Sequence, residues 1–123
     1  MSVGFLIAAL AAGAGFFIHA FVGSRKVVVP LLRAPHVPPA SRWLMFLCWH
    51  FVTIALAGLA LGFGWAGVDP AGRTMGLSLT ALAAAAALLT LYVCGRAGFR
   101  PWKVPPFVLF TLMAAAGGWA AAG

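Results

Sequence analysis

Residues 43 to 65 read WLMFLCWHFVTIALAGLALGFGW, and this stretch decides the class of the protein. It holds no Asp, Glu, Lys or Arg, and at 1.5 Å per residue a helix of that length covers roughly 34 Å. That is enough to cross a hydrocarbon layer of about 30 Å. Lipid offers no partner to a free backbone N–H or C=O, so the segment must be helical. Its apolar residues are continuous rather than alternating, which excludes a barrel strand.

Three further apolar runs flank it: Val3 to Val22, Met75 to Cys94, and a shorter one from Phe107 to Ala122. In the whole chain of 123 residues, 64% are hydrophobic and only 7% charged. A surface in water needs far more polar residues, so a soluble enzyme, a disordered tail and an ordinary nucleic-acid module are all excluded. The expectation is an all-α, single-domain integral membrane four-helix bundle, running up-down-up-down.

The breaks between runs are chemically distinct. Ser24 to Arg42 is basic and rich in proline, with Pro30, Pro35, Pro38 and Pro39, and Ser41 is placed to cap the second helix. Its valines and leucines suggest a loop lying along the membrane surface. Gly67 to Thr74 carries the turn signal Asp69-Pro70 with Gly72. Gly95 to Pro106 is basic again, and Pro105 and Pro106 suit a first helical turn.

Charge sets the expected orientation. The net charge is +7, with Asp69 the one acid. Arg25, Lys26, Arg33, Arg42, Arg96, Arg100 and Lys103 lie in the first and third loops, and only Arg73 lies in the second. The positive-inside rule then puts both basic loops in the cytoplasm and both termini outside. These cations are membrane-surface topology signals, so no nucleic-acid partner is expected. The first run lacks the basic n-region of a signal peptide and is long enough to span, so it counts as a helix. Trp43, Trp65 and Trp102 flank helix ends, where indole rings favour the interface.

Small residues let helices approach in lipid. Gly76, Thr80, Ala83, Ala87, Thr90 and Cys94 form one stripe on the third helix. Ala8, Ala12, Gly15, His19 and Gly23 form one on the first. The second offers Trp49, Thr53, Ala57, Ala60 and Gly64, besides the Gly58–Gly62 pair, and the fourth offers Phe107, Thr111, Ala115, Gly118 and Ala122. The polar members make the third stripe the firmest. Gly15, Gly23, Thr53, Thr80 and Thr90 are the expected lining of any site between helices.

His19 and His50 are the most informative residues, because an ionisable group inside an apolar run is costly. Measured from Ser24 and Arg42, they lie roughly 8 Å and about 12 Å deep, on consecutive antiparallel helices. Three roles compete. The imidazoles pin two helices together through hydrogen bonds; or they ligate a metal ion or the iron of a haem b; or they titrate along a path for protons or a small substrate. His36 sits among loop prolines and is solvated. Cys48 and His50 point roughly 200° apart on a helix and cannot share an ion. Both cysteines, Cys48 and Cys94, read as buried apolar residues.

The stretch His19-Ala20-Phe21-Val22-Gly23-Ser24-Arg25, with Pro30-Leu31-Leu32-Arg33, Trp49-His50 and Gly58, resembles a family of small bacterial four-helix membrane proteins. That family carries His-x-x-x-Gly-Glu-Arg, a Pro-Leu-Phe/Leu-Arg segment, and Trp-His followed by small hydroxyl residues. Ser24 stands where the family has a Glu, and Leu56-Ala57 where it has two tryptophans. The resemblance implies the fold and a histidine pair, and no reaction.

The expected function is therefore non-enzymatic: a multi-pass protein of a bacterial inner membrane that binds a ligand, or serves as a subunit of a membrane complex or homo-oligomer, through His19 and His50. The alternative is a small transporter or channel for a proton, ion or small molecule. No nucleophile, base and orienting acid can be assembled from these residues.

Overall fold

Long apolar runs become helices at once when the backbone must satisfy itself, and the computed structural model, which describes residues 1–123, is helical throughout its regular structure. Four helices are long and apolar enough to span a membrane: α1 over Val3–Arg33, α2 over Pro39–Val68, α3 over Arg73–Ala97 and α4 over Pro105–Ala122. Single 3₁₀ turns, Pro70–Gly72 and Pro101–Lys103, lead into α3 and α4.

The helices alternate in direction. The Ser2 N–H donates to the Gly67 carbonyl at 2.7 Å, and Arg73 Nη2 to the Ala121 carbonyl at 3.1 Å. α1 packs on α2 and α4, and α3 on α4 and α2, so the order around the bundle is α1-α2-α3-α4. Met1, Ser2, Arg73 and Gly123 meet at one end. The other end carries Arg25, Lys26, Arg33, Arg42, Arg96, Arg100 and Lys103. No polar or charged residue is buried, and Leu10, Ile54, Leu61, Leu88 and Leu89 are all exposed on the outside. Four spans with such a surface belong to a membrane protein.

The largest correction concerns α1. The first helix does not stop at Val22; it continues to Arg33, so the expected surface loop shrinks to residues 34–38. Ile18–Val28 runs as a π-helix, and the Val29 N–H still bonds the Ser24 carbonyl. Pro30 explains why a helix can persist there. In an α register its ring would crowd the Lys26 carbonyl, whereas a wider turn ahead of it makes room. The second helix also begins early, at Pro39, where a proline at N1 loses no hydrogen bond. Ser41 therefore lies inside the first turn and makes no cap. Across the short turn, Arg42 Nη1 donates to the Leu32 carbonyl at 2.9 Å and closes the end of α1.

α3 ends through Gly98, whose φ of 72° is left-handed, allowing Phe99 N–H to reach the Cys94 carbonyl at 2.9 Å. Its stripe faces inward: Gly76, Ala83, Ala87 and Cys94 are buried and Thr80 and Thr90 half-buried. The fourth stripe does not. Met113, Ala116 and Gly117 are buried, while Thr111, Ala115 and Gly118 are exposed. Gly117 is needed under Thr80, where any Cβ would collide with the threonine hydroxyl. On α2 the buried set is Leu56, Leu59, Gly62, Phe63, Ala66 and Gly67, so Gly62 faces the bundle and Gly58 faces out. Cys48 is exposed, against expectation, whereas Cys94 is buried.

Packing is uneven along the axis. The core joins Phe5, Ala8, Ala12, Leu56, Leu59, Phe63, Ala83, Met113 and Ala116, with the Phe5 and Phe63 rings 6.2 Å apart. All of these lie toward the end that holds the chain termini. At 1.5 Å per residue α2 is about 45 Å long and α4 about 27 Å, so the α1–α2 hairpin outruns α4 at the cationic end. That leaves space inside the bundle.

Candidate functional site

The site forms where α1 and α2 face each other beyond the core. His19 Nδ1 lies 3.1 Å from Thr53 Oγ1, and the Thr53 hydroxyl is 3.2 Å from the Trp49 carbonyl one turn earlier on its own helix. A hydroxyl has one proton, which here goes to the carbonyl. Both bonds are made together only when His19 Nδ1 carries a proton and donates it to Thr53. In a neutral imidazole that leaves Nε2 as a bare acceptor.

Trp49 fixes the ring in a second way. The His19 and Trp49 rings stack with centroids 3.9 Å apart and planes 16° from parallel. Gly23 makes this possible, since a Cβ there would sit 2.7 Å from Trp49 Cζ2. Trp49 Nε1 in turn donates to Ser24 Oγ at 3.2 Å. The π register matters for that bond. An i to i+5 hydrogen-bonding pattern brings residues five apart toward one face, and Ser24 is five residues after His19.

Beside this cluster lies a cavity of about 770 Å³. Its floor is formed by Gly15, Leu56 and Leu109, and a Cβ at Gly15 would come within 3.5 Å of both leucines. α1 contributes His19, Gly23 and Val27 to its walls, α2 contributes Leu44, Cys48, Trp49 and Val52, and the first turns of α4 contribute Pro105, Pro106 and Phe110. No α3 residue lines it. The lining is apolar except at His19, the weakly polar Cys48 thiol and the Trp49 indole N–H, which Ser24 already takes.

The histidines have different surroundings. His50 is exposed and meets the edge of Phe46, with ring centroids 4.4 Å apart. It does not line the cavity and shares no partner with His19. One residue after Trp49, it points about 100° away around α2. His36 is exposed in the loop. No three side chains among His, Cys, Asp and Glu converge anywhere, and His19 and Cys48 are the cavity-lining residues with an atom suited to a metal or haem iron.

Among the expected lining residues, Gly15 and Gly23 do line the cavity, and Thr53 supports His19 from behind. Thr80 and Thr90 lie elsewhere: their hydroxyls bond the Gly76 and Ala86 carbonyls of α3, each at 2.8 Å. Ser24 was not foreseen as part of the site. Its sequence signals are its place directly after Gly23 and its standing where the resembled family has a Glu. No protein-family model, curated protein or solved structure matches the chain.

Proposed function

We propose that this is a non-enzymatic binding protein of a bacterial inner membrane, which holds a small lipid-phase ligand in the cavity between α1, α2 and α4. The observation that carries the reading is a space of about 770 Å³ whose apolar walls hold one oriented imidazole. Ligand sites are typically mostly apolar clefts of that size with a few placed polar groups. The cationic end faces the cytoplasm in this reading, which places the cavity in the inner leaflet, open to molecules dissolved there. His19, rather than a His19–His50 pair, makes the polar contact.

Native mass spectrometry of the purified full chain tests this. A small molecule should co-purify with the wild type and be lost from Cys48→Trp, which fills the cavity from an exposed wall position. Identical spectra for the two proteins would refute the site. The visible spectrum of the same sample, with metal analysis, would identify a haem if that is what His19 holds.

A further inference from the structure

The cavity runs toward the cationic end of the bundle, and its walls record its depth. On α2 the lining extends from Leu56 at the floor to Leu44 near the rim. At a rise of 1.5 Å per residue that stretch of helix covers about 18 Å. One leaflet is half of a hydrocarbon layer of about 30 Å, so the cavity is about as deep as a layer of acyl chains. Ile18, Leu44, Met45 and Val52 line it and are also exposed, so it is open along a side that lipid covers. Its surface is almost wholly apolar, which suits a hydrocarbon chain.

The rim has a different chemistry. Each helix that walls the cavity places a cation within two residues of a lining residue at this end. Lys26 precedes Val27 on α1, Arg42 comes before Leu44 on α2, and Lys103 comes before Pro105 at the start of α4. Consecutive Cα atoms are about 3.8 Å apart, so the backbone of each cation lies less than about 8 Å from a wall residue. Arg42 is already anchored: Nη1 donates to the Leu32 carbonyl at 2.9 Å, which leaves its other N–H groups for an anion. Lys26 and Lys103 are exposed. No acid competes, because Asp69 lies in the turn at the opposite end.

We propose that the cavity holds one acyl chain of an anionic phospholipid from the surrounding leaflet, with its phosphate head at Lys26, Arg42 and Lys103. The proposal rests on the cavity reading above, and not on the contact with His19. Basic pockets between membrane helices are a recurring way of binding such heads. Cations on three sides suit a phosphodiester, whose oxygens are met from several directions, better than the compact carboxylate of a fatty acid. The open side leaves the second chain among its neighbours in the bilayer.

The delipidated full chain in detergent, titrated with dioleoylphosphatidylglycerol and dioleoylphosphatidylcholine and followed by native mass spectrometry, tests head and chain separately. The two lipids share their chains and differ in head-group charge. Wild type should prefer phosphatidylglycerol, and Cys48→Trp should lose both lipids. Each cation near an anionic head is worth about fivefold, so Lys26→Gln and Lys103→Gln should each lower the preference by about that factor. Arg96→Gln is the control. It removes a cation at the same end, but from α3, which lines none of the cavity, and should leave the ratio unchanged.

The outcomes separate the two ideas. If wild type binds both lipids equally and Cys48→Trp binds neither, the cavity stands and the head-group assignment is wrong. A fall in Arg96→Gln as large as in Lys103→Gln would also overturn it, because the charge of the whole end would then explain the preference. Displacement of bound phosphatidylglycerol by an equal concentration of oleate would make the occupant a fatty acid instead. If Cys48→Trp binds both lipids as wild type does, no chain enters the cavity, and the reading above fails with the proposal.

Discussion

Gly23 decides how closely α1 can approach Trp49, and through Trp49 how His19 is held. A methyl group there would need to share space with the indole ring, which lies 2.7 Å from the ideal Cβ position. Gly23→Ala should therefore push Trp49 off the imidazole and cost about 1–3 kcal/mol, the usual scale of overpacking. Gly13→Ala is the control, because nothing lies within 4 Å of its Cβ position and alanine favours a helix. Reversible unfolding in SDS should show the first variant destabilised and the second unchanged or slightly more stable. Equal effects would mean that the Trp49 contact does not limit the packing. The residues of this cluster were partly legible beforehand. His19 and Gly23 share one small-residue stripe, and Trp49 and Thr53 share another, simply from spacing of four. The ring stack and the contact of His19 Nδ1 with Thr53 were not legible, because they depend on where two helices meet. Nor did depth alone reveal that His50 turns outward; a comparable height in the membrane says nothing about direction around the helix.

At the scale of the helix, α3 was readable and α4 was not. Thr80, Thr90 and Cys94 punctuate the α3 stripe, and polar atoms among lipid-facing apolar residues single out one face. α4 has alanine and glycine on several faces, so spacing alone could not show that Gly117 fits beneath Thr80 while Gly118 faces outward. The α3 face makes a direct forecast. Ala83 is wholly buried, Ala87 is 9% exposed, and Ala85 faces out. Leucine at Ala83 or Ala87 should cost about 1–3 kcal/mol, and leucine at Ala85 much less. Uniform tolerance across the three positions, measured by the same unfolding assay, would show that the face is misassigned. α1 illustrates a different limit. Pro30 and the nearby cations imitate a loop, because the signals that end a helix in water are the same ones a widened helix can absorb. Only the apolar residues Val27, Val28, Leu31 and Leu32 hinted that the chain stays ordered to Arg33.

For the molecule as a whole, the distribution of cations along the bundle axis is the property with consequences beyond packing. Arg25, Lys26, Arg33, Arg42, Arg96, Arg100 and Lys103 gather at one end, and Arg73 stands alone at the other beside both chain termini. No acid shares the crowded end, since Asp69 lies in the turn before α3, where it accepts the Ala71 N–H at 2.9 Å. Apart from Arg42, which closes α1, these side chains make no hydrogen bond within the protein, and all six are exposed. They are free to meet lipid phosphates, and the positive-inside rule predicts that they do so on the cytoplasmic side. In a chain with Cys48 and Cys94 replaced by alanine, a membrane-impermeant maleimide applied to intact cells with a permeabilised outer membrane should label Ala71→Cys and leave Ala40→Cys unreacted. Both positions are exposed, so protection reports sidedness rather than burial. Changing Arg96, Arg100 and Lys103 to glutamine should not alter that pattern, because Arg25, Lys26, Arg33 and Arg42 still outweigh Arg73. Labelling of Ala40→Cys from outside would invert the assignment. It would also move the cavity, with its oriented histidine, to the outer leaflet.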